Sequence, residues 1–208
     1  MLISDTHKFV FVHIRKAAGS SLRQILERVS LQKNNHIWYK LISRIGVEID
    51  YHKHSFRQHS PLVEAERSMP SELFQQYYKF AIVRNPWDRL VSEYEYIKTQ
   101  PSHSRFKKLS KMKFEDYVIY QSKRPAAYQV NALKLSNGQL GCDFIGRFED
   151  LNNSMNEISE RINIDLKNLP HINKTEHRDY SIYYDNSLKD LVREIWHEDI
   201  TTFGYYFK

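Results

Sequence analysis

The sequence has very little cysteine: Cys142 is the single one among 208 residues. One thiol excludes an internal disulfide framework and any metal site built from several cysteines. Long apolar runs are also missing, since no stretch approaches the roughly 20 residues that a membrane-spanning helix needs. The first residues, Met1 to Asp5, lack the basic-then-apolar pattern of a signal peptide. We therefore expect a cytoplasmic protein in a reducing environment, without a transmembrane segment.

The charge balance is moderately basic. Lysine and arginine outnumber aspartate and glutamate by 31 to 25, which gives a net charge of +6. This excess suits an anionic ligand, such as a nucleotide, a sulfated or uronic glycan, or nucleic acid. An RNP sequence, a paired Cys/His finger and a recognition-helix pattern are all missing, so we do not expect nucleic-acid binding. The ten histidines show no metal-ligand spacing, and we expect no metal site.

The stretch from Lys8 to Val29 organises the rest of the chain. It starts with the apolar run Phe9–Val12, which predicts a buried strand, and after Ser21 its apolar residues recur at helical spacing. The turn between them is basic and rich in small residues. The first N–H groups of a helix have no internal partner, and the helix dipole favours an anion there. The turn is predicted to hold a phosphate-like group; the alternative is an ordinary polar strand–helix turn.

This turn is not the loop of an ATP-binding protein. A Walker A motif has lysine directly after its last glycine. In this chain Lys16 precedes the small residues, Ser20 follows Gly19, and the first glycine of the motif is absent. Binding of a magnesium–nucleoside triphosphate is therefore not implied.

A second strand–helix unit follows in the middle of the chain. The run Lys79–Val83 predicts a buried strand, and Pro86 is well placed in the first turn of the next helix. Arg84 then sits at the carboxyl end of a strand, where open α/β sheets bind their ligands. Ser92 is expected about two turns into the helix. The apolar stripe of that helix consists of Trp87, Leu90, Val91, Tyr94 and Ile97.

The remaining pattern completes an α/β arrangement. Residues Cys142–Phe148 predict a third strand, and two further helices have apolar residues in phase, one from Leu151 to Ile162 and one from Leu188 to Trp196. Strands that alternate with helices predict a single domain over residues 1–208, with a central, mainly parallel sheet flanked by helices. We expect a loop and a short helix over about residues 100–125, forming a lid or an acceptor-facing insertion.

Two motifs carry a family resemblance: HIRKAAGSSL after the first strand and VRNPWDRLVSEY after the second. The pair resembles the carbohydrate-type sulfotransferases, which use 3′-phosphoadenosine-5′-phosphosulfate (PAPS). The segments FIGRFEDL, LPHINKT and YYDNSLKDLVREIWHEDITTFGYYF are similar to the same family, so the resemblance extends from Phe9 to Phe207. It implies a P-loop-like nucleotide-binding sulfotransferase fold of the bacterial, cytoplasmic type.

The resemblance also implies two anion sites for the donor. Lys16 would lie against the oxygen that bridges phosphate and sulfate and stabilise the charge that develops there. Arg84 and Ser92 would bind the 3′-phosphate, with Lys174 as a further candidate for the same phosphate. No metal is needed for this transfer. The 5′ end would be held by Ala17, Ala18, Gly19, Ser20 and Ser21.

The acceptor hydroxyl needs a general base, and histidine titrates near the right pH. His59 matches the histidine that the family carries upstream of its arginine motif. His52 and His54 are rivals, because some relatives use a nearby histidine pair, and a glutamate is a further alternative. His13 lies inside the first motif, and we expect it to be structural, hydrogen-bonded below the loop.

The first motif departs from the family pattern in three places. Arg15 stands where the family has proline, while Ala17 and Ser20 each stand where it has threonine. The missing hydroxyl at Ala17 removes one phosphate contact, worth about 1 kcal/mol. Lys16, Gly19 and Ser21 are retained, so the donor site is expected to be usable.

The resemblance implies an enzyme that transfers the sulfuryl group of PAPS by in-line displacement to a hydroxyl, on a carbohydrate or glycoconjugate, and releases adenosine 3′,5′-bisphosphate (PAP). Two alternatives stay open: a module that binds PAP or PAPS without transfer, and a P-loop-type nucleotide kinase. The basic residues in the flanking loops suggest an acidic or already sulfated acceptor, but a solvated surface predicts the same composition. The oligomeric state is not readable from the sequence.

Overall fold

The described part of the chain is built on a mixed four-stranded sheet. The computed structural model describes residues 1–31, 50–54, 56–166 and 179–208. The strands β1 to β4 lie in chain order, β1 antiparallel to β2 and the other two pairings parallel. Their bounds are Leu2–Ser4, Phe9–Val12, Tyr78–Val83 and Phe144–Arg147. The predicted α/β fold with a mainly parallel central sheet is therefore confirmed.

The two central strands are buried on both faces, as their sequences predict. All four residues of β2 are at most 1% exposed, and β-branched and aromatic side chains suit such a strand. In register, Val12 pairs with Ala81 and Ala81 with Ile145. The carboxyl ends of β2, β3 and β4 consequently meet at one edge of the sheet. The loop after β2 and the residues after β3 lie side by side at that edge.

Ten α-helices are described around this sheet, α1 to α10 in chain order. Helix α1 follows β2, α4 follows β3 and α8 follows β4, so each parallel strand leads into a helix. Helix α4 begins with Pro86 and is capped by the Asn85 side chain, which accepts a hydrogen bond from the Trp87 N–H. The bounds are Gly19–Leu26, Leu62–Ser68, Ser71–Gln76, Pro86–Thr99, Phe106–Leu109, Phe114–Ser122, Gln129–Leu133, Leu151–Ile162, Asn186–Ile195 and His197–Phe203.

The apolar stripe of helix α4 is buried. The whole stripe, Val91 included, is at most 6% exposed, as predicted. Its other four members pack in one cluster on α6 and the two last helices. That cluster also contains Leu109, Tyr117, Val118, Val192 and Trp196.

Three local features differ from the sequence-based expectation. Strand β1 was not predicted, because a run of three residues gives too little pattern to recognise. Over residues 100–125 there are two helices, α5 and α6, instead of one, and Tyr117 and Val118 of α6 are fully buried against α4. The last helical stretch is broken at Trp196, which lies between the end of α9 at Ile195 and the start of α10 at His197.

Among the described residues, no helix is both long and apolar enough to cross a membrane.

Candidate functional site

The loop between β2 and α1 has a strained backbone. Lys16 and Ala18 adopt positive φ angles of 61° and 56°, which L-residues adopt only at a cost. Helix α1 starts at Gly19 directly after Ala18, and no side chain caps its first N–H groups. Ser20 is exposed at this helix start and Ser21 is buried. The loop therefore presents backbone donors and small side chains at a helix N-terminus, which suits an anion.

Gly19 is required at its position by close packing. A Cβ atom on this residue would lie 1.9 Å from His13 Cδ2 and 2.1 Å from His13 Nε2. His13 is only 4% exposed and its Nδ1 lies 3.3 Å from the Gln58 amide nitrogen. The ring of His13 thus supports the loop from below, in the structural position that was expected for it.

Replacing Ala18 by glycine is expected to raise the free energy of unfolding. Glycine adopts a φ of 56° without strain. The strain energy removed is expected to exceed, by roughly 0.5 kcal/mol, the free-energy cost of glycine's greater freedom in the unfolded chain. The matched control is Ala17→Gly, because Ala17 is buried and has no positive φ. Denaturant unfolding should show Ala18→Gly more stable than wild type and Ala17→Gly less stable. Loss of stability in both variants would contradict the strain argument.

Arg84 connects the two sequence motifs. Its Nη1 donates to the Lys16 carbonyl oxygen at 3.1 Å and to Ser92 Oγ at 3.0 Å, and its Nε donates to Asp88 Oδ2 at 2.7 Å. The guanidinium carbon also lies 4.1 Å from the centre of the Phe148 ring. The Lys16 loop and the Arg84–Ser92 pair, predicted as two separate anion sites, therefore form one connected group.

The backbone of Arg84 is fixed by a glutamine from another helix. Gln129 Oε1 accepts from the Arg84 N–H at 2.9 Å, and Gln129 Nε2 donates to the Arg84 carbonyl at 2.8 Å. Gln129 is itself 1% exposed, and its N–H donates to Asp199. This paired contact holds the end of β3 in place. Nothing in the sequence around Gln129 distinguishes it from a surface residue.

The Lys16 side chain is held on an aromatic ring. Its Nζ lies 4.1 Å from the centre of the Tyr96 ring, a distance typical of a cation–π contact. Burial, and next the charge of Arg84, lower the pKa of Lys16 to about 8. Lys16 is therefore still mainly protonated at pH 7. Sequence reasoning missed Tyr96, although its position one turn after Ser92 on α4 places it on the side of the helix that faces the loop.

His59 is anchored to the end of β2. Its Nδ1 lies 2.9 Å from the His13 carbonyl oxygen, and the two rings are 4.7 Å apart. Because a carbonyl only accepts, Nδ1 must carry the proton, which leaves Nε2 as the proton-accepting atom of the neutral ring. Burial lowers the pKa of His59 to about 4, with the charge of Arg15 acting in the same direction. The ring is thus neutral at pH 7 and able to accept a proton.

Folding stability is expected to fall as the pH drops from 6.5 towards 4. Burial lowers the pKa of His13 to about 2 and that of His59 to about 4, whereas both histidines titrate near 6.5 in the unfolded chain. The unfolded state then binds more protons, so each histidine costs up to about 1.4 kcal/mol per pH unit. We expect His59→Gln to flatten this pH dependence, measured by denaturant unfolding. An unchanged slope in the variant would contradict the burial of a neutral His59.

The rival histidines lie elsewhere. His52 bonds through Nε2 to Asp5 at 2.7 Å and through Nδ1 to Asp50 at 2.6 Å. Asp5 lies in the turn before β2, and Tyr77, which also bonds to it, directly precedes β3. This group therefore sits at the amino ends of the parallel strands, opposite the loop. Hydrogen bonds to Asp50 raise the pKa of His52, and the His54 ring contacts Phe56.

One predicted site residue cannot be located. Lys174 lies outside the described residues, as does the basic segment around it. Among the described residues no group of three or more His, Cys, Asp or Glu side chains could hold a metal ion. The absence of a metal from the reaction stays a prediction.

A buried charge cluster lies beside the loop, and no sequence pattern predicted it. Glu93 of α4 accepts from Arg105 Nη2 at 2.5 Å and from Gln121 Nε2 at 2.9 Å. Burial raises the pKa of Glu93, but the charges of Arg105 and Arg89 outweigh this and hold it below its usual value. Arg89 is 2% exposed and donates to the Ala127 carbonyl. Arg89 and Glu93 lie on the same helix as Arg84's partners Asp88 and Ser92.

The residues at this edge fit a nucleotide with two separate anionic groups. The uncapped helix start and Lys16 offer donors and a cation for one group. For the second anionic group, the Arg84 guanidinium offers several N–H donors in one plane and Ser92 adds a hydroxyl donor. Asp88 orients the guanidinium through its Nε. The chemistry of this donor set suits phosphate groups and does not require a metal-bound triphosphate.

Comparisons with known proteins give a family. The model of the sulfotransferase family matches residues 1–206. A search of curated proteins finds no match. Among solved structures, the chain is similar to mouse sulfotransferase SULT7A1 complexed with PAP, with 15% sequence identity and a TM-score of 0.45. That match covers 95% of this chain and 85% of the mouse chain, and the identification rests on the family model.

Proposed function

This chain belongs to the sulfotransferase family, and on that premise we propose that it transfers the sulfuryl group of PAPS to a hydroxyl of a carbohydrate or glycoconjugate. The observation that carries the proposal is the contact of Arg84 with both the Lys16 carbonyl and Ser92 Oγ. This contact joins the loop for the 5′ end of the donor to the residues for its 3′-phosphate. A donor with phosphate groups at both positions would use both halves.

The donor would be held by backbone and side-chain donors. The N–H groups from Ala17 to Ser21 and the two serine hydroxyls would bind the 5′-phosphate. Arg84 and Ser92 would bind the 3′-phosphate, and Lys174 is a further proposed contact to it. The Lys16 ammonium would lie at the bridging oxygen, where negative charge develops as the bond to sulfur breaks. Its position on Tyr96 limits the freedom of the side chain before the donor binds.

The acceptor step would use His59 as the general base. As the acceptor oxygen forms its bond to sulfur, the hydroxyl proton would pass to Nε2 of His59, and PAP would leave with the electron pair of the broken S–O bond. The hydrogen bond from Nδ1 to the His13 carbonyl fixes the ring in the required tautomer. The cytoplasmic location stays a prediction.

A transfer assay tests this proposal. Purified protein is incubated with PAPS labelled in its sulfuryl group and with a panel of neutral, uronic and sulfated glycans, and both labelled glycan and released PAP are measured. Equal amounts of labelled glycan and PAP are expected with at least one acceptor. Tight PAP binding without transfer to any glycan would instead support a binding module. Phosphoryl transfer from magnesium–ATP would favour a kinase and contradict the proposal.

A further inference from the structure

A cleft of about 210 Å³ opens beside His59. Its lining includes Arg15, His59, Arg89, Tyr128 and Gln129. Arg15 directly precedes Lys16, so the cleft adjoins the loop that is proposed to hold the donor. His59, the proposed base, is one of its lining residues, so we assign the cleft to the acceptor side of the reaction.

Positively charged groups outnumber negatively charged groups around the cleft. Arg15 interacts electrostatically with three further arginines, Arg89, Arg105 and Arg124, and with Glu93 as the acidic group. Glu93 is already bonded to Arg105 and Gln121. One carboxylate among four guanidinium groups leaves a local excess of positive charge, which a low-dielectric setting strengthens.

The other nearby carboxylate does not reach into the cleft. Asp199 is fully buried, and its two oxygens accept the backbone N–H groups of Gln129 and Val130. Burial also raises the pKa of Asp199, so this carboxyl loses its negative charge more readily as the pH falls. Arg89 Nε is buried and has no hydrogen-bond partner among the described residues. Arg89 also lines the cleft, but its side chain is only 2% exposed and donates to the Ala127 carbonyl, so it mainly adds positive charge.

Arg15 is the guanidinium that a ligand in the cleft can reach. It is partly exposed, and no hydrogen bond or ion pair joins it to another described residue. The related loops have proline at this position, which offers neither a charge nor a donor. Arginine presents five donors in a planar fork that matches a carboxylate or a sulfate. This departure from the family pattern thus adds an oxyanion contact next to the proposed base.

We propose that Arg15 binds an anionic group of the acceptor, a carboxylate or a sulfate ester, while a neighbouring hydroxyl faces His59. The inference rests on the proposed function, because it assigns this cleft to the acceptor of that reaction. It deepens that function by naming the acceptor class: a sugar that already carries an anionic group close to the hydroxyl that is sulfated.

Binding of simple sugars to the PAP complex tests this inference. Labelled protein is first saturated with PAP, which fills the donor site so that small anions cannot bind there, and is then titrated with glucuronic acid, glucose 6-sulfate and glucose by NMR. At least one anionic sugar is expected to bind about tenfold more tightly than glucose, from a charge-assisted contact of Arg15. Comparison of the carboxylate with the sulfate ester identifies the preferred group.

Two matched variants test whether Arg15 causes the preference for anionic sugars. Arg15→Gln is expected to bind the anionic sugars no more tightly than glucose, whereas Arg28→Gln, which removes the same charge from an exposed site, should keep the preference. Anionic sugars that bind no better than glucose to the wild type, or a preference that survives Arg15→Gln, would overturn the inference. Failure of PAP to bind in the first step would instead contradict the proposed function, so the two failures are distinguishable.

Discussion

Replacing Lys16 by alanine is expected to lower kcat for sulfuryl transfer by about 10² to 10³-fold, the usual effect of removing one group that stabilises developing charge. The Lys16 ammonium lies on the Tyr96 ring beside Arg84, so its position is defined before the donor binds. Binding of PAP should weaken much less, because the loop N–H groups, Arg84 and Ser92 are retained. Steady-state kinetics and PAP titrations of both proteins measure the two effects separately.

The pH dependence adds a second readout for Lys16. Burial lowers the pKa of Lys16 to about 8 in the protein without ligands, and only the protonated form stabilises negative charge. Plots of kcat/KM against pH should therefore fall above about pH 8, and in Lys16→Arg this fall should move to higher pH.

The matched control for Lys16 is Lys98→Ala. Lys98 also lies over a tyrosine ring of α4, 4.7 Å from the centre of Tyr94, but on the exposed side of the helix. Its removal should leave kcat unchanged. Equal losses in Lys16→Ala and Lys98→Ala, or an unchanged kcat in Lys16→Ala, would contradict the assigned role.

Replacing His59 by glutamine is expected to lower kcat by about 10² to 10⁴-fold, the range for loss of a general base. Glutamine keeps a donor for the His13 carbonyl but has no basic nitrogen. Burial lowers the pKa of His59 to about 4. Because protonation removes the base, kcat/KM of the wild type should stay level from pH 7 down to about 5 and fall only as the pH approaches 4.

His52→Gln is the discriminating control for the base. His52 is bonded to Asp5 and Asp50 at the opposite edge of the sheet, so its removal should change kcat little. A large loss of kcat in His52→Gln together with a small loss in His59→Gln would reverse the assignment of the base.

The sequence was sufficient for the parts of the fold that have strong local patterns. The runs at Phe9–Val12 and Lys79–Val83 are apolar and rich in β-branched and aromatic residues, and the stripe that starts at Trp87 has a clear helical period. Strand β1 has only three residues, and its place depends on pairing with β2. The break at Trp196 depends on tertiary packing of that ring, which is fully buried. Long-range contacts of this kind leave no local pattern.

For the site, sequence reasoning named residues that the structure brings together, but it did not predict the contacts between them, and their role in binding stays a prediction. Arg84 and Ser92 were predicted as a pair, and their 3.0 Å contact fits that prediction. The positive φ angles of Lys16 and Ala18 have no sequence signal, because lysine and alanine rarely adopt them. Arg89 and Glu93 are both buried although charged residues are usually exposed, and inside the protein they compensate each other's charge. In the sequence Arg15 is only a departure from the family motif, whereas in the structure it lines the same cleft as His59.

The central claim is that the β2–α1 loop and the Arg84–Ser92 pair form one site for a nucleotide with phosphates at both the 5′ and the 3′ positions. Calorimetric titration of wild type and Arg84→Lys with PAP and with adenosine 5′-monophosphate tests it most directly. The account predicts that wild type binds PAP about 100-fold more tightly than the monophosphate, as a bidentate charged contact allows, and that Arg84→Lys loses most of this preference. Equal binding of the two nucleotides to folded wild-type protein would contradict the claim.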